Sequence, residues 1–285
     1  MKEHFFSIAG AVVRVCGADT ELFDHAGMLE DFRVSSQPWD HTIFCSIVDQ
    51  ISPPEGNLCF TDCGRLVFSC PDGFLSYTGP VSQSWETATI RVLQHADMTE
   101  AQFLRSMVGS TISVSGMLSA LGTAHLAVEM GGFLLHASCI CHNNRAVVFT
   151  APSGTGKSTQ AELWHIHRNA EIINGDRIMI RAGENGWEAV GVPFCGTSGI
   201  RKNVRHPLAA IICLEQASKT CIRPIGGVTA FRRIWEGCTL QTWNHGDIDI
   251  CSSLLQQMLE SVPVFLLSCT PDHSAIEAVE SVLRF

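Results

Sequence analysis

The chain has 285 residues, enough for one large domain or two modest ones, and 46% of them are apolar against 16% charged, a balance that excludes disorder as the ground state. No run approaches the roughly 20 consecutive apolar residues of a membrane span, and residues 1–10, with Lys2, Glu3 and His4, make a poor secretion signal, so a soluble cytoplasmic protein is expected, without a membrane partner. A formal net charge of −9 argues against a broad grip on nucleic acid, which depends on neutralising phosphates with Lys and Arg.

In chain order, residues 5–14 read as a strand and 20–32 as a helix or irregular surface segment. Short runs rich in β-branched and aromatic residues follow at 41–48, 65–69, 73–77 and 85–93, separated by the turn signals Pro53-Pro54-Glu55-Gly56, Pro71-Asp72-Gly73 and Gly79-Pro80. This spacing predicts a small antiparallel sheet. From Met98 to Gly122 the pattern reads as helical, with Thr99 as N-cap, Gln102 three residues on, and Phe103, Leu104, Met107 and Ile112 on one partly apolar face. That helix would bridge a small β-rich N-terminal domain, 1–125, to a second domain, 126–285.

In the second part, 133–141 and 145–150 read as strands around the turn His142-Asn143-Asn144. Residues 145–163, RAVVFTAPSGTGKSTQAEL, then read as strand, phosphate loop and helix. Ser153, Gly154, Thr155 and Gly156 let the backbone turn tightly and aim its N–H groups inward, where they join the positive end of the helix dipole to make an anion site. Lys157 would bring a compact charge to the β- and γ-phosphates of ATP; the Ser158 hydroxyl, followed by Thr159, is placed to ligate Mg²⁺. The usual first glycine of GxxxxGK[ST] is here Ala151, so the loop belongs to a variant class. Further on, 171–174 is a short apolar run ending in Gly175-Asp176-Arg177. Strand-like segments follow at 178–181 and 186–190, then a loop over 191–203, an apolar run at 206–214, a helix from 250, a strand at 264–268 and a last helix from 273. Alternating β and α elements with hairpins predict an α/β fold, a mixed sheet with helices.

Phosphoryl transfer needs a phosphate cradle, a metal held by an acidic residue, and a group that positions or deprotonates the acceptor. Asp176 is the acidic candidate because it would sit at a strand's end; with Ser158 it offers Mg²⁺ the oxygen ligands this hard cation takes. A plain turn aspartate in Asn-Gly-Asp is the alternative, and the two roles are compatible. Thr197, Ser198, Arg201, Lys202 and Arg205 lie in a loop of the sort that carries function on a rigid scaffold. Arg201 would pair with a γ-phosphate or an anionic acceptor, or else belong to a solvated basic loop. Glu215, at its strand's end, would support the metal through an intervening group or be a surface carboxylate. Trp164, Trp235 and Trp243 read as packing residues. The thirteen cysteines, scattered through runs such as Ile211-Ile212-Cys213-Leu214, read as reduced core thiols. The cluster Cys59, Cys63 and Cys70 lacks the second matched pair of a structural zinc site.

The segments Leu134-Leu135-His136-Ala137-Ser138, 152–159, and Ile173-Asn174-Gly175-Asp176-Arg177 resemble, in that order, the HPr kinase/phosphorylase family, which shares its phosphate-loop core with the phosphoenolpyruvate carboxykinases. The likeness extends through 191–197 and 207–216, about half the chain, and looks closest to kinase-like members found with peptide-modification systems and to serine kinases. It implies Mg²⁺-dependent transfer of the ATP γ-phosphate to a hydroxyl, on a peptide or protein serine or a small metabolite, with His136, Lys157 and Asp176 as catalytic residues. It also implies a histidine beside the phosphates, which makes His136 a candidate base rather than a structural histidine of an apolar strand. The family uses two adjacent aspartates where this chain has Gly175 before Asp176, so metal ligation and acceptor activation fall on one carboxylate or are divided differently. That departure keeps a non-catalytic nucleotide-binding sensor or scaffold as the alternative. A decarboxylating carboxykinase, a much longer chain with extra basic substrate residues, fits less well. The residues leave a homo-oligomer open.

Overall fold

Ala9 and Gly10 both take left-handed backbone, φ 50° and 76°, and turn the chain back on itself. The apolar stretch 5–14 is therefore not one strand but a hairpin, β1 (Glu3–Ile8) with β2 (Ala11–Gly17). The protein, seen as a computed structural model that describes residues 3–17, 29–62, 64–79, 84–95, 97–107 and 114–283, divides into two units, Met1–Thr123 and Ala124–Phe285.

In the first unit β3 (His41–Val48), β4 (Asn57–Asp62), β5 (Arg65–Cys70), β6 (Gly73–Thr78), β7 (Ile90–Gln94) and β8 (Met98–Leu104) extend the hairpin into an eight-stranded sheet of order β1-β2-β3-β8-β7-β6-β5-β4. The sheet is mixed rather than small and antiparallel, because β3 runs parallel to both β2 and β8. Residues 98–104 are a strand, not the start of a bridging helix: Thr99, Ala101 and Phe103 are buried and their neighbours less so, the period of two that a strand facing one core requires. Thr99 accordingly caps nothing and instead meets His41 at 2.9 Å across the sheet. Among the described residues, Arg105–Met107 forms a 3-10 turn and α-helix appears at α1 (Val114–Ala120) and α2 (Thr123–Glu129); residues 108–113, Ile112 among them, lie outside the described residues. Of the expected segment 20–32, Glu30–Phe32 forms a 3-10 turn with Phe32 buried, and 20–28 lies outside the described residues. Trp85–Thr87 is also a 3-10 turn, ahead of β7. Cys59 and Cys70 donate to the carbonyls of Val67 and Glu55; Cys63 lies outside the described residues. No metal-ligating cluster of three His, Cys, Asp or Glu occurs among the described residues.

The second unit is built on β9 (Gly132–His142), which turns through Asn143 and Asn144, both left-handed, into antiparallel β10 (Arg145–Thr150). The strands β11 (Glu171–Asn174), β12 (Arg177–Gly183), β13 (Gly186–Gly191), β14 (Arg205–Gln216), β15 (Cys221–Pro224), β16 (Cys238–Thr239) and β17 (Val264–Cys269) complete a nine-stranded mixed sheet. Both faces are covered. Ala146, Val148, Ile211 and Cys213 point to one side with Cys139 and Cys141, under Ala230 and Ile234 of α4 (Gly227–Trp235) and Cys251, Leu255 and Met258 of α5 (His245–Ser261). Val147, Phe149, Ala210 and Ile212 point to the other, under Ala161 and Trp164 of α3 (Lys157–Arg168) and Ile276 and Val279 of α6 (His273–Val282). This is an α/β fold, and each large apolar side chain buried in it contributes roughly 2–3 kcal/mol.

Candidate functional site

At His136 the neighbours of β9 change on both edges. On one edge β10 ends with Thr150 opposite Ala137, and β16 takes over with Cys238 opposite Leu135. The His136 N–H donates to the Gly237 carbonyl at 2.8 Å, and the Thr150 hydroxyl donates to the His136 carbonyl at 3.1 Å. On the other edge β11 gives way to β12 through a kink at Gly175–Asp176, where the Ala137 N–H reaches the Asp176 carbonyl at 3.0 Å. The departing chain ends diverge here, so the sheet opens a cleft of about 320 Å³ lined by His136, Thr150, Ser153, Arg233 and Glu236 among others.

Below this fork lies the glycine-rich turn. Gly154 and Gly156 adopt φ of 78° and 115°, conformations a side chain resists, and a Cβ added at either would meet nothing within 4 Å, so the backbone is bare on its outer side. No side chain caps the start of α3, which leaves its first N–H groups to whatever occupies the loop. Lys157 opens the helix, is only 7% exposed, and its ammonium donates to the carbonyls of Ala151 and Pro152 at 2.9 and 3.2 Å. An ammonium has three protons, so this brace leaves donor capacity toward the turn. Burial lowers the Lys157 pKa, and the Asp176 carboxylate opposes that shift. The Ser138 hydroxyl donates to the Lys157 carbonyl at 2.6 Å and ties the helix start to β9. His136, two residues earlier on the same strand, shares that face.

Asp176 is held from several sides. Its Oδ2 accepts from Arg177 at 2.7 Å, and its Oδ1 lies 3.6 Å from His136 Nδ1, beyond a good hydrogen bond but close enough for the charges to interact. Burial lowers the His136 pKa, the Lys157 charge lowers it further, and Asp176 only partly compensates, which favours the neutral imidazole. The fully buried Asn174 sets the kink: its side-chain oxygen accepts from the Asp176 and Arg177 N–H groups, and its amide donates to the carbonyls of Val192 and Phe194. The following loop folds over it, with the Gly175 N–H on the Ile200 carbonyl. Gly196 faces Asp176, where an added Cβ would stand 3.3 Å from Oδ1, so the absence of a side chain keeps that oxygen approachable. Asp176 and the exposed Ser158 offer oxygen donors of the kind a hard divalent cation takes.

A second carboxylate before Asp176 would have to displace the Ser198 side chain: a Cβ on Gly175 would come 2.2 Å from Ser198 Oγ. Arg201 lies 3.4 Å from both Cys195 Sγ and the Gly199 carbonyl and bridges to Asn174 through its backbone, so it builds the loop over the kink. Thr197 is exposed on the same loop, and Lys202 pairs with Glu171 at 2.5 Å. Glu215 accepts from the Ser268 hydroxyl at 2.5 Å and from Arg233 at 3.0 Å; the first bond, then the guanidinium, holds its carboxyl below the usual range. Trp164 is fully buried against the sheet, and Trp235 stacks on Phe231 at 5.5 Å. Arg177 and Arg233 join the site without a role expected from the sequence. Arg177 follows Asp176 directly, which was a signal; Arg233 is on a helix 57 residues further along the chain from Asp176, and only the fold brings it to the cleft.

No protein-family model and no curated protein matches the chain. Among solved structures it is similar to the Hpr(Ser) kinase/phosphatase from Coxiella burnetii, with 13% identity over 53% of this chain and 88% of that one and a TM-score of 0.31, a weak likeness at the level of the fold. No helix among the described residues is long and apolar enough to cross a membrane.

Proposed function

We propose that the second unit is an ATP- and Mg²⁺-dependent phosphotransferase that moves the γ-phosphate to a hydroxyl acceptor, a peptide or protein serine or a small metabolite. The observation that carries this reading is the meeting of Lys157, His136 and Asp176 at the fork of β9, beside a bare glycine-rich turn at a helix start. In this reading the N–H groups of residues 153–159 and the Lys157 ammonium hold the phosphates. Asp176 and Ser158 would hold Mg²⁺, which when bound neutralises charge on the transferred group. The neutral His136 takes the proton of the acceptor hydroxyl as its oxygen bonds to the γ-phosphorus; the bond from that phosphorus to the bridging oxygen breaks, and ADP leaves with the electron pair. Transfer of ³²P from γ-labelled ATP, screened over serine peptides and hydroxyl metabolites, tests it. Labelled product that depends on His136 supports the reading, and binding of Mg·ATP with neither transfer nor hydrolysis refutes turnover.

Two observations favour the second reading, a nucleotide-binding sensor. Arg177 already engages one oxygen of Asp176, and the Ser198 hydroxyl occupies the space a carboxylate at 175 would need. A sensor would bind Mg·ATP as tightly as an enzyme but give no product.

A further inference from the structure

The glycine-rich turn has a second cavity on its other side, about 350 Å³, bounded by the start of α3 and the carboxyl ends of β14 and β17. Its character is opposite to that of the His136 cleft. That cleft carries His136, Arg233 and Glu236, whereas no residue lining this cavity is charged. Leu214 and Pro271 give it apolar walls, and Thr155, Thr159 and Gln216 give it neutral polar groups. Gln160, one turn into α3, lines it while only 2% exposed. Its Nε2 donates to Cys269 Sγ at 3.4 Å, and its Oε1 has no hydrogen-bond partner. A buried acceptor left unpaired is costly, and a site that keeps one is suited to a ligand that brings the missing donor. The Gln216 amide reaches the Gly154 carbonyl only at 3.5 Å, so it too is available at the cavity's edge.

Resting on the reading that the turn takes phosphates, we infer that this cavity holds the nucleoside of the bound nucleotide, and that the buried Gln160 amide turns toward it so that Oε1 accepts from the 6-amino group of adenine. The polyphosphate then crosses the turn from the neutral cavity to the charged cleft, and its terminal phosphate ends beside His136. The cavity's volume lies within the range of small-molecule sites, and an uncharged heterocycle with one donor edge matches apolar walls with a single orphan acceptor. A site built on one buried hydrogen bond discriminates strongly against an analogue that lacks it. Inosine triphosphate, which carries a carbonyl where adenine has the amino group, therefore binds more weakly.

Calorimetry on the full chain in Mg²⁺, with tripolyphosphate, ATP and ITP against wild type, Gln160→Leu and Gln216→Ala, tests the assignment. The expected result is tripolyphosphate binding that both variants leave unchanged, ATP at least tenfold tighter than ITP in wild type, and Gln160→Leu collapsing that ratio to near one. Gln216→Ala should weaken ATP severalfold and tripolyphosphate not at all. Photolabelling with 8-azido-ATP should mark peptides containing 214–217 or 269–271, which keeps the test decisive if Gln160→Leu fails to fold. ATP and ITP binding alike, ATP no tighter than tripolyphosphate, or label confined to residues 236–239 would overturn the nucleoside site while leaving the phosphate reading intact. Absence of binding by tripolyphosphate and ATP alike would overturn both.

Discussion

The two sheets are nearly equal in strand number, eight and nine, and both are mixed, yet they are put together differently. In the first unit each pair of neighbouring strands meets over most of its length; β3, for example, runs beside β8 from Thr42–Met98 to Val48–Leu104. In the second unit β9 serves β10 and β11 with its carboxyl half and β12 and β16 with its amino half. A strand that keeps its partners leaves no gap. One that exchanges them on both edges opens a cleft at the handover, and there the chain places its histidine, its kinked aspartate and its glycine-rich turn.

The largest effect expected falls on the layer that holds the turn in place. Trp164 anchors α3 on the sheet, and Trp164→Ala should cost about 3–5 kcal/mol, read as a lowered denaturation midpoint. If the turn depends on α3, nucleotide affinity should fall with it; unchanged stability would show that the helix is not what fixes the fork.

A pH dependence follows from a half-buried histidine in the same unit. His125 meets the carboxylate of Asp247 at 2.9 Å and that of Glu129 at 3.4 Å; burial opposes its charge, but these two partners push its pKa up to about 10. The folded state therefore keeps a proton that the unfolded chain loses near 6.5. Its contribution is complete below about pH 6.5, declines as pH rises, and is gone above about 10, a change on the order of a few kcal/mol. Denaturation at pH 6.5 and at pH 10 should show that loss in the wild type and a smaller one in His125→Gln. Equal losses would remove the ion pair from the account.

Catalysis is the next test of the contrast. His136→Ala should leave Mg·ATP binding near the wild-type level and lower phosphoryl transfer on the order of a hundredfold, the low end of a general-base contribution. Transfer at the wild-type rate would reduce His136 to a strand residue at a fork.

How much of this was legible in the sequence follows the same divide. Strands, turn and helix at 145–168 could be read because their signals are local: β-branched residues, then glycines, then Lys-Ser-Thr before helix formers. The hairpin at Ala9–Gly10 is hidden because alanine rarely marks a left-handed turn, and β8 reads as helix because residues four apart, such as Thr99 and Phe103, share a face in a helix and in a strand alike. The handover at His136 depends on pairings between residues distant in sequence. So does the approach of Arg233 to the cleft, and no local pattern announces either.

The smallest effect concerns Gly175. Gly175→Ala should cost roughly 1 kcal/mol, because its Cβ displaces the Ser198 hydroxyl, and Ser198→Gly should restore most of it. Additive losses in the double variant would mean that the two residues do not share that space.

In the proposed reading the fork of the second unit binds polyphosphate through Lys157. Titration calorimetry of Mg·ATP into the full chain and into folded Lys157→Ala tests it most directly. Saturable binding to the wild type and a loss of at least about tenfold in the variant are expected, in keeping with removal of a charge-assisted contact. Equal affinity in the two proteins, with the variant's fold intact, would contradict it.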